Sequence, residues 1–190
     1  MSSHVRGSAP YPWPYDGRLA GEHLALIVVG WDHGWAARVH DPDAAADRCG
    51  VLGAAVVDHG GQVIAVGHRG ADALAFGGAR ALAVPALDAF YGSSLDHDLR
   101  AGGRTHLMIV GLGLEGPVHS TLRSANDRGY ECLLIADACA PCDVATASAA
   151  AKTVTMSGGI FGAIGTADAV LEALGAAPPS ASPSPDHLEP

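Results

Sequence analysis

The sequence predicts an α/β protein, a three-layer α/β/α sandwich around a mostly parallel central sheet. Short β runs at His23 to Val29, Gln62 to Val66, His106 to Val110 and Tyr130 to Ala136 are largely continuous in apolar character, as expected of strands covered on both faces. Segments with helix start and stop signals lie between them, so strand and helix alternate and the strands are expected to run parallel. The length of 190 residues, with 48% hydrophobic and 16% charged residues, suits one globular domain with a single core.

Residues 1–22 are rich in Pro and aromatics, which favours an extended arm, because each Pro fixes its own φ and biases its neighbour away from the helical region. Tyr11, Trp13 and Tyr15 are its candidate anchors. The α/β domain is expected over residues 23–174. After the first strand, Asp41-Pro42-Asp43 supplies an N-cap and a first-turn Pro for a helix over Ala44 to His59, which Gly60-Gly61 ends. Beyond the second strand, Ser93 to Ala101 reads as a helix closed by Gly102-Gly103, and the third strand follows at His106. His119 to Arg128 reads as the next helix, stopped at Gly129 before the fourth strand. Ala145 to Met156 is a further helix, and Thr166 caps a last one over Ala167 to Leu174. Residues 175–190, rich in Pro and Ser, read as a disordered tail. In a sheet of this kind ligands bind outside the carboxyl ends of the strands, here expected at Gly30, Gly67, Gly111 and Asp137.

Eleven Lys and Arg stand against twenty Asp and Glu, a formal charge of −9, which repels nucleic acid and anionic membrane surfaces. No apolar run is long enough to span a bilayer and the leader lacks a signal-peptide pattern, so a cytoplasmic location is expected. Cys49, Cys132, Cys139 and Cys142 lack the spacing of a disulfide framework and are expected to be reduced. Cys139-Ala-Pro-Cys142 is formally a Cys-x-x-Cys pair, but no second Cys or His pair at metal-site spacing accompanies it. Gly111-x-Gly113 follows a strand without the rest of a dinucleotide fingerprint. No cofactor and no metal are expected.

One stretch carries more specific information. From His106 to Ala140 the sequence holds Gly111, Val118-His119-x-Thr121, Arg123-x-Ala125-Asn126-Asp127-Arg128-Gly129-Tyr130 and Asp137-Ala138-Cys139. In this order and spacing they resemble the core of the isochorismatase-like cysteine hydrolases, nearest the branch that cleaves C–N bonds in ureido and biuret-type compounds. The arm PYPWPYDGRL, the stretch Ala89 to Leu95 and the segment SGGIFGAIGTADAVLEAL agree with the same resemblance.

The resemblance implies an isochorismatase-like fold, an oligomer and a catalytic set of three side chains: a Cys nucleophile, an Asp that takes its proton and a charge-supporting Lys. Backbone N–H groups at the Cys turn would complete an oxyanion hole. The positions that match these three hold Gly30 for the acid, Val84 for the lysine and Pro117 for the nucleophile. Gly30 accepts no proton, Val84 carries no charge, and Pro117 offers neither a nucleophile nor a backbone N–H. Between His68 and Val84 the chain is also shorter than in that branch, so a reduced cover over the pocket is expected, leaving it wetter.

Two residues past Gly30 lies Asp32, followed by His33, while Glu115 and His119 flank Pro117. Asp32, Glu115 and His119 are therefore candidates for a relocated acid–base set, against the plainer readings of a polar turn and a packed or capping histidine. Trp31 and Trp35 are a candidate stacking pair or, more simply, core or contact aromatics. The expectation for function is a catalytically degenerate homologue, a structural or regulatory subunit that pairs with itself or with an active paralogue. The alternatives are a rebuilt hydrolase acting on a small amide or ureido compound, and a small-molecule sensor.

Overall fold

At the centre of the sheet lie β1 (Leu24–Val29) and β4 (His106–Leu112), and every residue of both is buried. A computed structural model describes residues 4–68, 76 and 78–175. Of the tail expected over 175–190, residues 176–190 lie outside the described residues, as do residues 69–75 and 77, most of the expected short cover. Six strands pair in the order β3-β2-β1-β4-β5-β6, all parallel, with β2 at Gln62–His68, β3 at Arg80–Val84, β5 at Glu131–Ala140 and β6 at Ala163–Gly165. Central strands with both faces covered explain the unbroken apolar runs.

The topology places the helices. From β1 the chain crosses through α2 (Pro42–Asp58) towards one edge, and from β4 through α4 (His119–Asp127) towards the other. Right-handed crossovers in opposite directions put those helices on opposite faces. α6 (Ala167–Leu174) packs beside α2, whereas α5 (Val144–Thr155) packs against β6 and the turn that precedes α4. The crevice between β1 and β4 is thus the topological switch point, where α/β sheets bind ligands.

Two strands were not legible in sequence. β3 is an edge strand whose short apolar stretch, Ala81 to Val84, is mostly not buried, and β6 has only three residues. Asp137 does not end its strand. The pairing steps from Ile109–Leu134 to Gly111–Cys139, leaving Asp137 inside a bulge of β5. There its Oδ1 accepts from the N–H of Ala167 at 2.9 Å and its carbonyl accepts from Arg48.

The arm packs onto the body. Val5 and Trp13 pair with each other and are buried, while Tyr15 is exposed. Ala9 and Ile164 exchange both backbone hydrogen bonds, at 3.0 and 2.7 Å, so the arm covers the open edge of β6. Asp16 meets the buried His106 at 3.3 Å, and Glu131 accepts from the N–H of Tyr15.

The Asn126 to Tyr130 motif is a structural corner. Asn126 Nδ2 donates to the Leu122 carbonyl at 2.7 Å, and Gly129, at φ +82°, reverses the chain after α4. Tyr130 then stacks on Phe90 with centroids 5.8 Å apart, Arg128 lies over Phe90, and the Tyr130 hydroxyl donates to Asp96 at 2.8 Å. Asp96 belongs to α3 (Leu95–Ala101), so the motif fixes that helix to the sheet.

Candidate functional site

The segment after β1 builds the rim of the switch-point crevice. Gly30 has φ +70°, a left-handed conformation that side chains rarely adopt, and a Cβ placed on it would run into the Leu112 carbonyl oxygen at the end of β4. Trp31 then donates its N–H to the Val66 carbonyl at 2.9 Å. Asp32 starts α1 (His33–Ala36), its Oδ1 accepting from the N–H of Trp35 at 3.0 Å, while its Oδ2 accepts from the N–H of His68 at 2.9 Å. One carboxylate therefore caps a helix and ties the ends of β1 and β2.

After β4 the chain makes a single π-helical turn, Leu114–Val118, with Pro117 buried in it. The N–H groups of Gly116 and Val118 both donate to the Gly113 carbonyl, at 3.0 and 3.3 Å, and that of His119 turns back to the carbonyls of Leu114 and Gly116. These three donors point into the turn itself. The Trp35 ring lies against it: a Cβ on Gly113 would meet the ring and Pro117 Cδ at 2.8 Å, and one on Gly116 would meet the ring at 3.2 Å. Val84, at the end of β3 beside His68, is buried and apolar.

Glu115 leaves this turn towards α5. Its Oε2 accepts from the N–H of Cys142 at 2.9 Å, and its Oε1 from the Thr146 hydroxyl at 2.7 Å and the N–H of Asp143 at 3.3 Å. Burial works against its charge, but these donors together hold the carboxyl below the usual glutamate range. His119 is buried, and its Nε2 has no hydrogen-bond partner. Burial first and then Arg123 lower its pKa, so the ring is held neutral at pH 7.

The structure does not gather the three acid–base candidates into one site. Asp32 lines a cavity of about 680 Å³ outside β1 and β2, with Trp31, His33, Asp43, His68 and Leu112 among its walls. Glu115 and His119 line a separate recess of about 420 Å³ between α4 and α5, with Arg123 and Thr146. His68 and Asp43 had no signal in sequence beyond position, His68 at a strand's carboxyl end and Asp43 in a helix's first turn.

Trp31 meets Phe76 edge-on at 4.6 Å, while Trp35 lies on the Gly113–Pro117 turn, and both rings pack against the small cluster of Ala45, Leu112 and Ala140. All four cysteines are free thiols. Burial pushes Cys139 up to about 12, and burial together with Glu115 raises the exposed Cys142, so both disfavour the reactive thiolate. Among the described residues no group of three or more His, Cys, Asp and Glu is placed to hold a metal ion. None of their helices is long and apolar enough to cross a membrane.

This architecture is an isochorismatase-like α/β fold. Residues 84–168 match the model of the isochorismatase domain. An isochorismatase family protein from Burkholderia thailandensis superposes with a TM-score of 0.71 at 20% identity, over 81% of this chain and 96% of its own. A cysteine hydrolase from Pseudomonas syringae pv. phaseolicola gives 0.73 at 17% identity, over 83% and 94%. The YcaC gene product of Escherichia coli, described as an octameric hydrolase of unknown specificity, gives 0.68 at 21% identity, over 80% and 79%. At these identities the superpositions establish the fold. The domain match adds a likeness in sequence over residues 84–168.

Proposed function

We propose that this chain is a catalytically degenerate isochorismatase-like homologue that works by binding and assembly, as a structural or regulatory subunit pairing with itself or with an active paralogue. The observation that carries the reading is at Gly30. Where the resemblance places the catalytic acid, the backbone is left-handed and the space a side chain needs is taken by the Leu112 carbonyl. The other two positions support it. Val84 is buried and apolar, and Pro117 is buried in a turn where the N–H groups of Gly116, Val118 and His119 are already bonded and against which the Trp35 ring lies. Nucleophilic amide cleavage needs a nucleophile, a base and donors aimed at the oxyanion. The octameric state described for the YcaC product supports assembly.

The test has two parts. The purified chain is assayed on a panel of small amides and ureido compounds, and turnover is expected to be absent. Co-expressed with an intact paralogue from the same source, it is expected to co-purify and to alter that paralogue's activity or stability. Turnover that survives exhaustive purification, or an unaltered paralogue, overturns the respective half of the proposal.

The rebuilt-hydrolase reading keeps one supporting observation, that Glu115 and the neutral His119 share a recess. It requires turnover that disappears in a Glu115→Gln, His119→Ala double variant.

A further inference from the structure

The 680 Å³ cavity outside β1 and β2 has the size of a small-molecule site, since such pockets span about 300 to 1,000 Å³. It is not the space the resemblance assigns to catalysis. Gly30, Val84 and Pro117 are not among its lining residues, nor is Trp35, whose ring lies against Gly113 and Gly116. The segment Trp31–Ala36 thus meets the Gly113–Pro117 turn through Trp35 and lines the cavity through Trp31, Asp32, His33, Gly34 and Ala36.

The walls select a ligand by chemistry. Trp31, Leu112 and Pro42 supply apolar surface, and among the described lining residues the carboxylate and cationic side chains are two carboxylates, Asp32 and Asp43, with no Lys or Arg. Asp32 is fixed by its two N–H donors, so its charge is held in place at no further cost on binding. Asp43 is exposed in the first turn of α2 and makes no salt bridge with any described residue. His33 and His68 add ring nitrogens that donate or accept. An indole with carboxylates in one cleft favours a cation on a flat apolar body, which gains both ion pairing and attraction to the ring.

We infer that this cavity binds a small organic cation, an amine or amidinium carried on a planar ring. The inference rests on the reading of the chain as a non-hydrolysing member, and makes the cavity its ligand input.

Three probes of one shape and different charge test it: benzamidine, benzamide and benzoate, each titrated calorimetrically and by thermal shift at low salt. Benzamidine is expected to bind in the millimolar range or tighter and to raise Tm, benzamide more weakly, and benzoate least. Asp43→Asn is expected to weaken benzamidine roughly fivefold and leave benzamide unchanged, as for a partly exposed ion pair. Trp31→Phe, which keeps an aromatic wall, is expected to weaken both. Absence of benzamidine binding, equal binding of benzoate, or an Asp43→Asn variant with unchanged preference overturns the inference. Ammonia release from benzamide in the same samples would instead overturn the non-hydrolysing reading and leave the binding result standing.

Discussion

The carboxylate of Asp32 accepts the backbone N–H of His68, joining the carboxyl ends of two adjacent parallel strands through a side chain. The same group caps α1 through Trp35. Asp32→Asn keeps an oxygen for the cap but presents an amide to the second N–H, and is expected to cost about 1 kcal/mol; Asp32→Ala loses both and is expected to cost about 2 to 3 kcal/mol. Urea denaturation measures both. An Ala variant as stable as the parent would show that the strand ends are held by something else.

At Gly30 the expected effect is larger. Gly30→Ala must adopt a left-handed backbone, costing about 1 to 2 kcal/mol, and must also displace the Leu112 carbonyl, so a total above about 2 kcal/mol is expected. Gly30→Asp should fare no better, because its Cβ meets the same oxygen. The triple variant Gly30→Asp, Val84→Lys, Pro117→Cys is therefore expected to show no hydrolysis. Activity in that variant, with a folded circular dichroism spectrum, refutes the steric argument.

Glu115 anchors the start of α5 with three hydrogen bonds. Glu115→Gln keeps one acceptor oxygen and should loosen this corner; Glu115→Ala should free it. Hydrogen exchange at the amides of Cys142 and Asp143 is expected to rise at least tenfold in the Ala variant, the equivalent of about 1.4 kcal/mol of local stability. Unchanged exchange there would contradict the capping role.

Glu131 gives a pH signature. Burial, with a smaller contribution from Asp16, raises its pKa against the opposing effects of the Tyr15 N–H and His106. A carboxyl whose folded pKa is raised binds its proton more tightly when folded. Its contribution is therefore favourable at acid pH and is lost as pH rises through the folded pKa. Glu131→Gln, which retains an acceptor for Tyr15, is expected to be more stable than the parent at pH 7, with the advantage shrinking as pH falls through the raised folded pKa and levelling off once pH is below the ordinary glutamate range. Melting curves across pH check the sign, and a variant less stable at neutral pH would reverse it.

What was legible in the sequence follows from how local each feature is. The central strands announce themselves because their apolar runs need no context, and Thr166 was readable as a cap because its partner, the N–H of Ala169, lies three residues on. β6 was not, because the three residues Ala163–Gly165 become a strand only through pairing with β5 on one side and Ala9 on the other. The same holds at the site. Sequence located Gly30 but not the reason for it, which is the Leu112 carbonyl contributed by a distant strand. It offered Asp32 and Glu115 as acid–base candidates. It could not reveal that each is already bonded, since His68 and Cys142 arrive from elsewhere in the chain.

The pairing of Ala9 with Ile164 sets a timetable for synthesis. The strap emerges from the ribosome first, whereas the edge it protects is among the last parts of the domain to be made. Until residue 164 is free, β5 presents unpaired backbone along that side, and Val5 lacks Gly165, beside which its side chain packs. The nascent domain is thus most exposed to misassociation just before completion, when most of its core is in place. Slowing translation over its final helix would lengthen that interval, and with it the chain's dependence on chaperones.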